Sequence, residues 1–303
     1  MPGADRASPE RERASGWLGA ADAPGRAHYA GPMRLTFLGT GTSSGVPAIG
    51  CSCAVCRSSD PRDARLRTSA CLDFIDPSGQ PRTILLDAGP DLRQQALRHG
   101  MERADAILLT HNHVDHVWGL DEVRRFNVLM DAPIDVYADA RTFEAVRRVY
   151  QHIFEKQGNV QRSFVAALIP RFVEPGRPFE LHGVRVTPFA LLHGRLPVLG
   201  YRFDAAHDGL SAPFLPLAYC TDVSGIPPET WGALRGLKTL VLDALRHRHH
   251  PTHFTVGQAV GVAHEVGADR TYFVHMSHDL PHEETDAALP EGMALAWDGL
   301  VLR

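Results

Sequence analysis

From Met33 onward the chain alternates short apolar runs with Gly, Pro or Asp punctuation, the rhythm of brief strands separated by turns. Leu35 to Leu38, Ala70 to Ile75, Thr83 to Leu86, Ala106 to Leu109, Ile134 to Tyr137, Val184 to Phe189, Gly200 to Phe203, Leu217 to Cys220, Thr239 to Leu242 and Thr271 to Val274 read as strands. Apolar residues recurring at three and four predict helices over Asp91 to His99, Gly119 to Met130, Ala140 to Lys156, Pro228 to Leu234, Val256 to Val266 and His282 to Leu289. Strands dominate the first half, and the mixture predicts an α/β fold with two sheets packed between helices. The pattern contains no internal repeat. No linker between Met33 and Arg303 is long enough to separate independent domains, so residues 33–303 are expected to form one, with Gln157 to Arg177 as a sizeable surface loop. Residues 1–32, rich in Ala, Gly, Pro and Arg, show neither period and are expected to form a disordered N-terminal extension.

Composition narrows the class. At 303 residues with 44% hydrophobic and 22% charged content, the chain can bury a full core. A formal charge of −4 gives no footprint for large nucleic acids. No apolar stretch approaches the ~20 residues of a membrane span. Five cysteines are too few and too clustered for a disulfide framework, and no secretory pattern opens the chain, so a reducing cytoplasm is expected.

The strongest chemical signal is "LLTHNHVDHVWGL", where His111, His113, Asp115 and His116 follow an apolar run. A turn at a strand end can converge these side chains, the two imidazoles serving one metal and the Asp-His pair another nearby. A second signal is "GCSCAVC". Cys51, Cys53 and Cys56 are spaced to hold one tetrahedral zinc, strained as disulfide partners, and in need of a fourth ligand. Cys71 and Cys220 lie inside apolar strands and read as buried small hydrophobes.

The His-x-His-x-Asp-His run resembles the hallmark of the metallo-β-lactamase superfamily of metal-dependent hydrolases, and the resemblance covers essentially Met33 to Arg303. It implies a four-layer αββα sandwich. "LDAGPD", with Asp87 and Gly89, looks like the family's Asp-x-Gly turn that buttresses the metal site. His193 in "LLHGR", Asp222 in "YCTDVSG" and His275 in "FVHMSH" fall in the order in which the family places its remaining ligands. The resemblance thus implies that His111, His113 and His193 hold one ion, that Asp115, His116 and His275 hold the other, and that Asp222 bridges them. Two divalent ions so held, manganese or zinc, suit attack on a phosphoryl or carbonyl centre.

"GTGTSSGVPAIGCSCAVC" further resembles the N-terminal signature of phosphoribosyl cyclic phosphate phosphodiesterases of the carbon-phosphorus lyase pathway and their relatives. That likeness implies a structural zinc on Cys51, Cys53, Cys56 and His278. A pyrroloquinoline-quinone biosynthesis branch has a similar cysteine loop but generally lacks the complete histidine-aspartate set. By the same resemblance His253, in "RHRHHPTHFTVGQAV", points toward the metals as the general acid. His253 and Asp115 are therefore the candidate catalytic side chains. His247, His249 and His250 read as surface residues, one of which could line the substrate entrance, and His282 as a surface residue; Arg124 and Arg125 read equally as contacts for a substrate phosphate or as a solvated helix face, and are left out of the site.

The expected activity is hydrolysis of a small phosphodiester, cyclic in the best fit, to a monoester. A homodimer is a family-level expectation. A carbonyl-centre hydrolase (lactonase, thioesterase or β-lactamase type) and a non-catalytic cofactor-biosynthesis protein stay open as alternatives. A transfer-RNA processing nuclease would need a basic arm that the sequence lacks.

Overall fold

The computed structural model describes residues 31–155, 164–207 and 210–303. Of the expected N-terminal extension, residues 1–30 lie outside the described residues, as do Lys156, the last residue of the helix expected from Ala140, and 157–163 of the expected surface loop.

Two seven-stranded sheets form the centre. The first contains β1 (Arg34–Gly39), β2 (Ser69–Ile75), β3 (Pro81–Leu86), β4 (Ala106–Leu108), β5 (Ile134–Ala138) and β6 (Leu168–Phe172). The second contains β7 (Phe179–Leu181), β8 (Val184–His193), β9 (Leu196–Ala205), β10 (Leu217–Cys220), β11 (Thr239–Asp243), β12 (Arg270–Val274) and β13 (Met293–Leu295). The C-terminal β14 (Val301–Leu302) returns to the first sheet and pairs antiparallel with β1, giving the order β14-β1-β2-β3-β4-β5-β6. The second sheet runs β13-β12-β11-β10-β9-β8-β7. The helices are α1 (Leu92–His99), α2 (Val114–Val117), α3 (Arg124–Met130), α4 (Ala140–Val149), α5 (Gln151–Phe154), α6 (Val256–Val266) and α7 (His282–Ala287).

The layering follows from strand alternation. Ile84 and Leu86 of β3 point into a cluster with Phe37, Val186, Tyr201 and Val241, which lies between the sheets. Leu85 points the other way, into a second cluster with Leu92, Phe126, Phe143 and Val146 of α1, α3 and α4. On the far side Ala218, Leu240, Leu242 and Phe273 meet Val256, Ala259 and Ala263 of α6. This is the αββα sandwich. Strands buried on both faces read as continuous apolar runs, which is why they were legible.

Several expectations need correction. The loop expected over 157–177 contains the edge strand β6, paired in parallel with β5. Its central Pro170 disguises it, since proline is tolerated in a strand only at an edge. The short strands β7, β13 and β14 also went unread. Pro228–Leu234 is a 3₁₀ helix, and the expected helix from Ala140 breaks at Tyr150, where φ is −109° and ψ 41°. His282 is not a surface residue. It is buried, its ring edge-on to Trp297 at 5.8 Å. No helix among the described residues is long and apolar enough to cross a membrane.

Candidate active site

The ends of β3, β4, β8, β10, β11 and β12 supply the site. His111 follows β4, and the short α2 begins just after His113 and carries Asp115 and His116 on its first turn. His193 is the last residue of β8, Asp222 lies two beyond β10, and His275 directly follows β12. The structure brings all seven together. The donor atoms of His111, His113, His193 and Asp222 lie within 4.8 Å of one another, and so do those of Asp115, His116, Asp222 and His275. Asp222 belongs to both groups. Its Oδ2 stands 3.8 Å from Nε2 of His111 and of His193, while its Oδ1 stands 3.1 Å from His116 Nε2 and 3.2 Å from His275 Nδ1.

Each of four buried rings is held at one nitrogen. His111 Nδ1 meets Thr110 Oγ1 at 3.0 Å, and His116 Nδ1 meets Asp87 Oδ2 at 2.7 Å. His193 Nδ1 donates to Thr252 O at 2.6 Å, and His275 Nε2 meets Thr42 Oγ1 at 3.2 Å. Fixing one nitrogen aims the other. Three of those others, His111 Nε2, His116 Nε2 and His275 Nδ1, are buried without a hydrogen-bond partner. An orphaned buried nitrogen is costly unless something outside the protein satisfies it. Burial drives the His111 imidazole well below its ordinary pKa. At Asp222, burial pushes upward, but His275 and His116 more than offset it and hold the carboxyl well below the carboxylate range. A neutral His111 and an ionised Asp222 are the ligand states a divalent cation requires. At His116 burial pushes downward, but Asp222, Asp115 and Asp87 outweigh it and raise the imidazole well above its ordinary value, the pull that three carboxylates would exert on a cation in its place. The donor set fits two such ions.

Asp87 and Gly89 form the support. Besides His116, Asp87 accepts the Thr110 N–H at 2.8 Å and the Thr110 hydroxyl at 2.9 Å. Gly89 is required by closeness, because a Cβ there would lie 2.0 Å from the Asp115 carbonyl oxygen.

His253 is buried against the cluster. Its ring stacks on His275 (centroids 4.9 Å apart, 16° between planes) and meets His193 edge-on at 4.5 Å. Its Nδ1 is 2.7 Å from Oδ2 of Asp243, the final residue of β11, which also accepts the Val223 N–H at 2.7 Å. Asp243 was missed in the sequence. Burial pushes its carboxyl up to about 7, against the pull of His253. Burial lowers the His253 pKa, but Asp243 more than offsets that and raises it. The available signal was a carboxylate closing an apolar strand ten residues before a histidine.

The cysteine loop lies next door. His278 Nδ1 is 3.2, 3.4 and 3.6 Å from the sulfurs of Cys51, Cys53 and Cys56. A tetrahedral zinc with its usual bond lengths would separate sulfur and nitrogen ligands by about 3.5 Å, so this set also fits. The Cys56 N–H and His278 draw the Cys53 thiol down to about 6. Burial and, after it, the neighbouring thiols push Cys56 up to about 11; a cation held by the cluster favours the thiolate form. Cys71 and Cys220 stay apart, buried on outward faces of the two sheets.

Comparison with known proteins gives the same family. The sequence profile described as "Beta-lactamase superfamily domain" matches residues 82–276. The chain belongs to the β-lactamase superfamily. Its metallo-β-lactamase fold implies divalent metals, and it is a metal-dependent hydrolase of that superfamily. Among solved structures, this superfamily member is similar to a chain described as a new diphosphatase from the PhnP family, with 42% identity, a TM-score of 0.78, and coverage of 89% of this chain and 96% of the other. Among curated relatives, it is 34% identical to "Coenzyme PQQ synthesis protein B" of Methylobacterium nodulans, over 89% of this chain and 100% of that protein. It is 37% identical to an "Octanoyltransferase" of Porphyromonas gingivalis over 88% of this chain, and spans only 51% of that protein's length.

Proposed function

We propose that the protein hydrolyses a small phosphodiester to a monoester, using two divalent ions, manganese or zinc, and a separate structural zinc. The carrying observation is Asp222, whose two oxygens face different imidazole sets. In this reading His111, His113 and His193 hold one ion, Asp115, His116 and His275 the other, and Asp222 both; Cys51, Cys53, Cys56 and His278 hold the zinc. Bound side by side, the two ions supply Lewis-acid polarisation of the phosphoryl group and activation of water near neutral pH.

The remaining chemistry belongs to side chains. Asp243 ties His253 Nδ1 and fixes the ring, leaving Nε2 as the atom that gives a proton to the departing oxygen. The stack against His275 prevents the ring from swinging away. Asp87, Asp222 and Asp243 are themselves buried, which strengthens their charge interactions with the imidazoles they face, while His113 is exposed on the open side of the site. The diphosphatase name of the solved relative supports action at phosphorus.

A second reading is hydrolysis at a carbonyl centre, and the acyl-transfer name of the Porphyromonas gingivalis relative is the observation that favours it. The test is turnover by metal-loaded protein of a bis-aryl phosphate, a 2′,3′-cyclic nucleotide, ribose 1,2-cyclic phosphate, a lactone and a β-lactam. Phosphodiester turnover abolished by His111→Ala and by Asp222→Asn is the expected result. Turnover of the carbonyl compounds alone would overturn the phosphodiesterase reading, and unchanged turnover in either variant the metal assignment.

A further inference from the structure

Of the four imidazoles held at one nitrogen, one faces the other way round. His111, His116 and His193 are held at Nδ1, so Nε2 of each looks toward Asp222, at 3.8, 3.1 and 3.8 Å. His275 is held at Nε2, and its Nδ1 stands 3.2 Å from Asp222 Oδ1. The grip comes from Thr42, whose Oγ1 meets His275 Nε2 at 3.2 Å although the two residues are 233 positions apart. Both are buried. Turning the ring over would sweep it against His253, stacked on it at 4.9 Å, and His116, near-parallel to it at 5.7 Å.

The Thr42 hydroxyl is carried to this point by a clamped backbone. Thr42 N–H donates to Met276 O and Met276 N–H donates to Thr40 O, each at 3.0 Å, so that Gly41 and Met276 form a parallel bridge. Gly41 N–H donates to Leu66 O and Gly45 N–H to Thr42 O, each at 2.8 Å. A Cβ on Gly41 would lie 2.9 Å from the Arg65 Cβ and carbonyl oxygen, so the chain can pass here only as glycine. Main-chain bonds before and after Thr42 thus set its hydroxyl against the ring that follows β12.

A neutral imidazole has one proton, and a cation at one nitrogen confines that proton to the other. With a cation at Nδ1, the His275 proton lies at Nε2, and a buried N–H left without an acceptor is costly. A hydroxyl can accept as well as donate, so Thr42 Oγ1 supplies the acceptor at the moment the cation binds.

We propose that Thr42 is a positioning residue for the ion held by Asp115, His116 and His275: it accepts the Nε2 proton of His275 and so presents Nδ1, the nitrogen opposite to the one that His111, His116 and His193 present. The inference rests on the two-ion reading above and deepens it by naming a ligand atom and the residue that selects it. Thr42 acts through His275 and touches no reacting group.

The test has two arms, both on the full chain. A crystal structure of the zinc-loaded protein should place the ion at bonding distance, about 2.1 Å, from His275 Nδ1; bonding through Nε2 would overturn the proposal. Zinc competition against a chromogenic chelator then separates the bound ions by affinity. Thr42→Val should weaken one ion about ten- to hundredfold, and Thr42→Ser, which keeps the hydroxyl, should hold that ion as wild type does. The other catalytic ion and the cysteine-bound zinc should stay. Loss of the cysteine-bound zinc as well would show that Thr42 merely shapes its loop, and would sink the positioning role. Unchanged affinity in Thr42→Val, with wild type holding both catalytic ions, overturns the proposal alone. Wild type that holds fewer than two ions besides the cysteine-bound zinc overturns it together with the two-ion reading.

Discussion

Arg65 is the side chain whose loss should be felt most widely. Its guanidinium is 1% exposed and bridges the N-terminal loop to the chain after β12. It donates to Ser277 O at 2.7 Å and Leu280 O at 2.6 Å, and lies 3.3 Å from Asp63, whose Oδ1 also accepts the His282 N–H at 2.8 Å. Arg65→Met leaves two buried carbonyls without donors, at about 1–3 kcal/mol each, and a buried carboxylate without its cation. These losses overlap, and truncating one member of a buried pair costs about 3–5 kcal/mol, which is the destabilisation expected. Arg65→Lys keeps the charge and one carbonyl contact, and should cost roughly half as much. Urea unfolding of the zinc-loaded protein measures this directly. Because the tethered segment carries His278, Arg65→Met should also speed zinc transfer to a chromogenic chelator. A loss under about 1 kcal/mol with unchanged zinc release would show that this segment holds its place without the guanidinium.

Three further outcomes are expected. Gly89→Ala forces its Cβ against the Asp115 carbonyl, which a Cβ at the present position would approach to 2.0 Å; metal analysis should find the paired ions depleted and the cysteine-bound zinc retained. His278→Ala should lower bound zinc by one equivalent, and a preparation that still holds its full complement would remove His278 from that site. Asp298 links stability to pH. Burial pushes its carboxyl from 3.8 up to about 6, so its contribution is full below the unfolded value and is lost as pH rises through about 6. At 1.36 kcal/mol per pH unit the full span is about 3 kcal/mol. Asp298→Asn should therefore change the wild-type-minus-variant stability gap by about 2 kcal/mol between about pH 4.5 and 7.5, and a constant gap would exclude the linkage.

What the sequence disclosed and what it hid differ in contiguity. His111 to His116 and Cys51 to Cys56 are compact, so their residue types and spacing were visible before any fold was known. The sandwich was legible because its strands are buried on both faces. Asp243 and Arg65 were not: Asp243 sits at the end of an apolar strand with nothing in residue type to tie it to His253 ten positions on, and the partners of Arg65, Ser277 and Leu280, are more than two hundred positions away. In sequence Arg65 lies in "DARLR", which looks like solvated loop. His282 was misread for the same reason, since only the fold brings Trp297 over it.

The deeper level of the design is in the backbone, where no residue-type pattern could show it. Five non-glycine residues among those described have positive φ. Two do ordinary turn work: Asp131 closes α3, and His182 turns the chain between β7 and β8. The other three, Asp87 (58°), Asp222 (55°) and His275 (61°), each follow a strand and all converge on the candidate metal centre. A left-handed residue with a side chain costs about 1–2 kcal/mol. An extended strand would send consecutive side chains to alternate faces, so strands from two sheets could not aim a carboxylate and an imidazole at one point just beyond their ends. The left-handed turn redirects each side chain, and hydrogen bonds from Thr110 to Asp87, from Thr221 to Asp222 and between Thr42 and His275 hold it there. Glycine would remove the strain together with the ligand atom at Asp222 and His275 and, at Asp87, the carboxylate that orients His116, so the three strained positions mark where side-chain chemistry at the metal centre outweighed backbone preference.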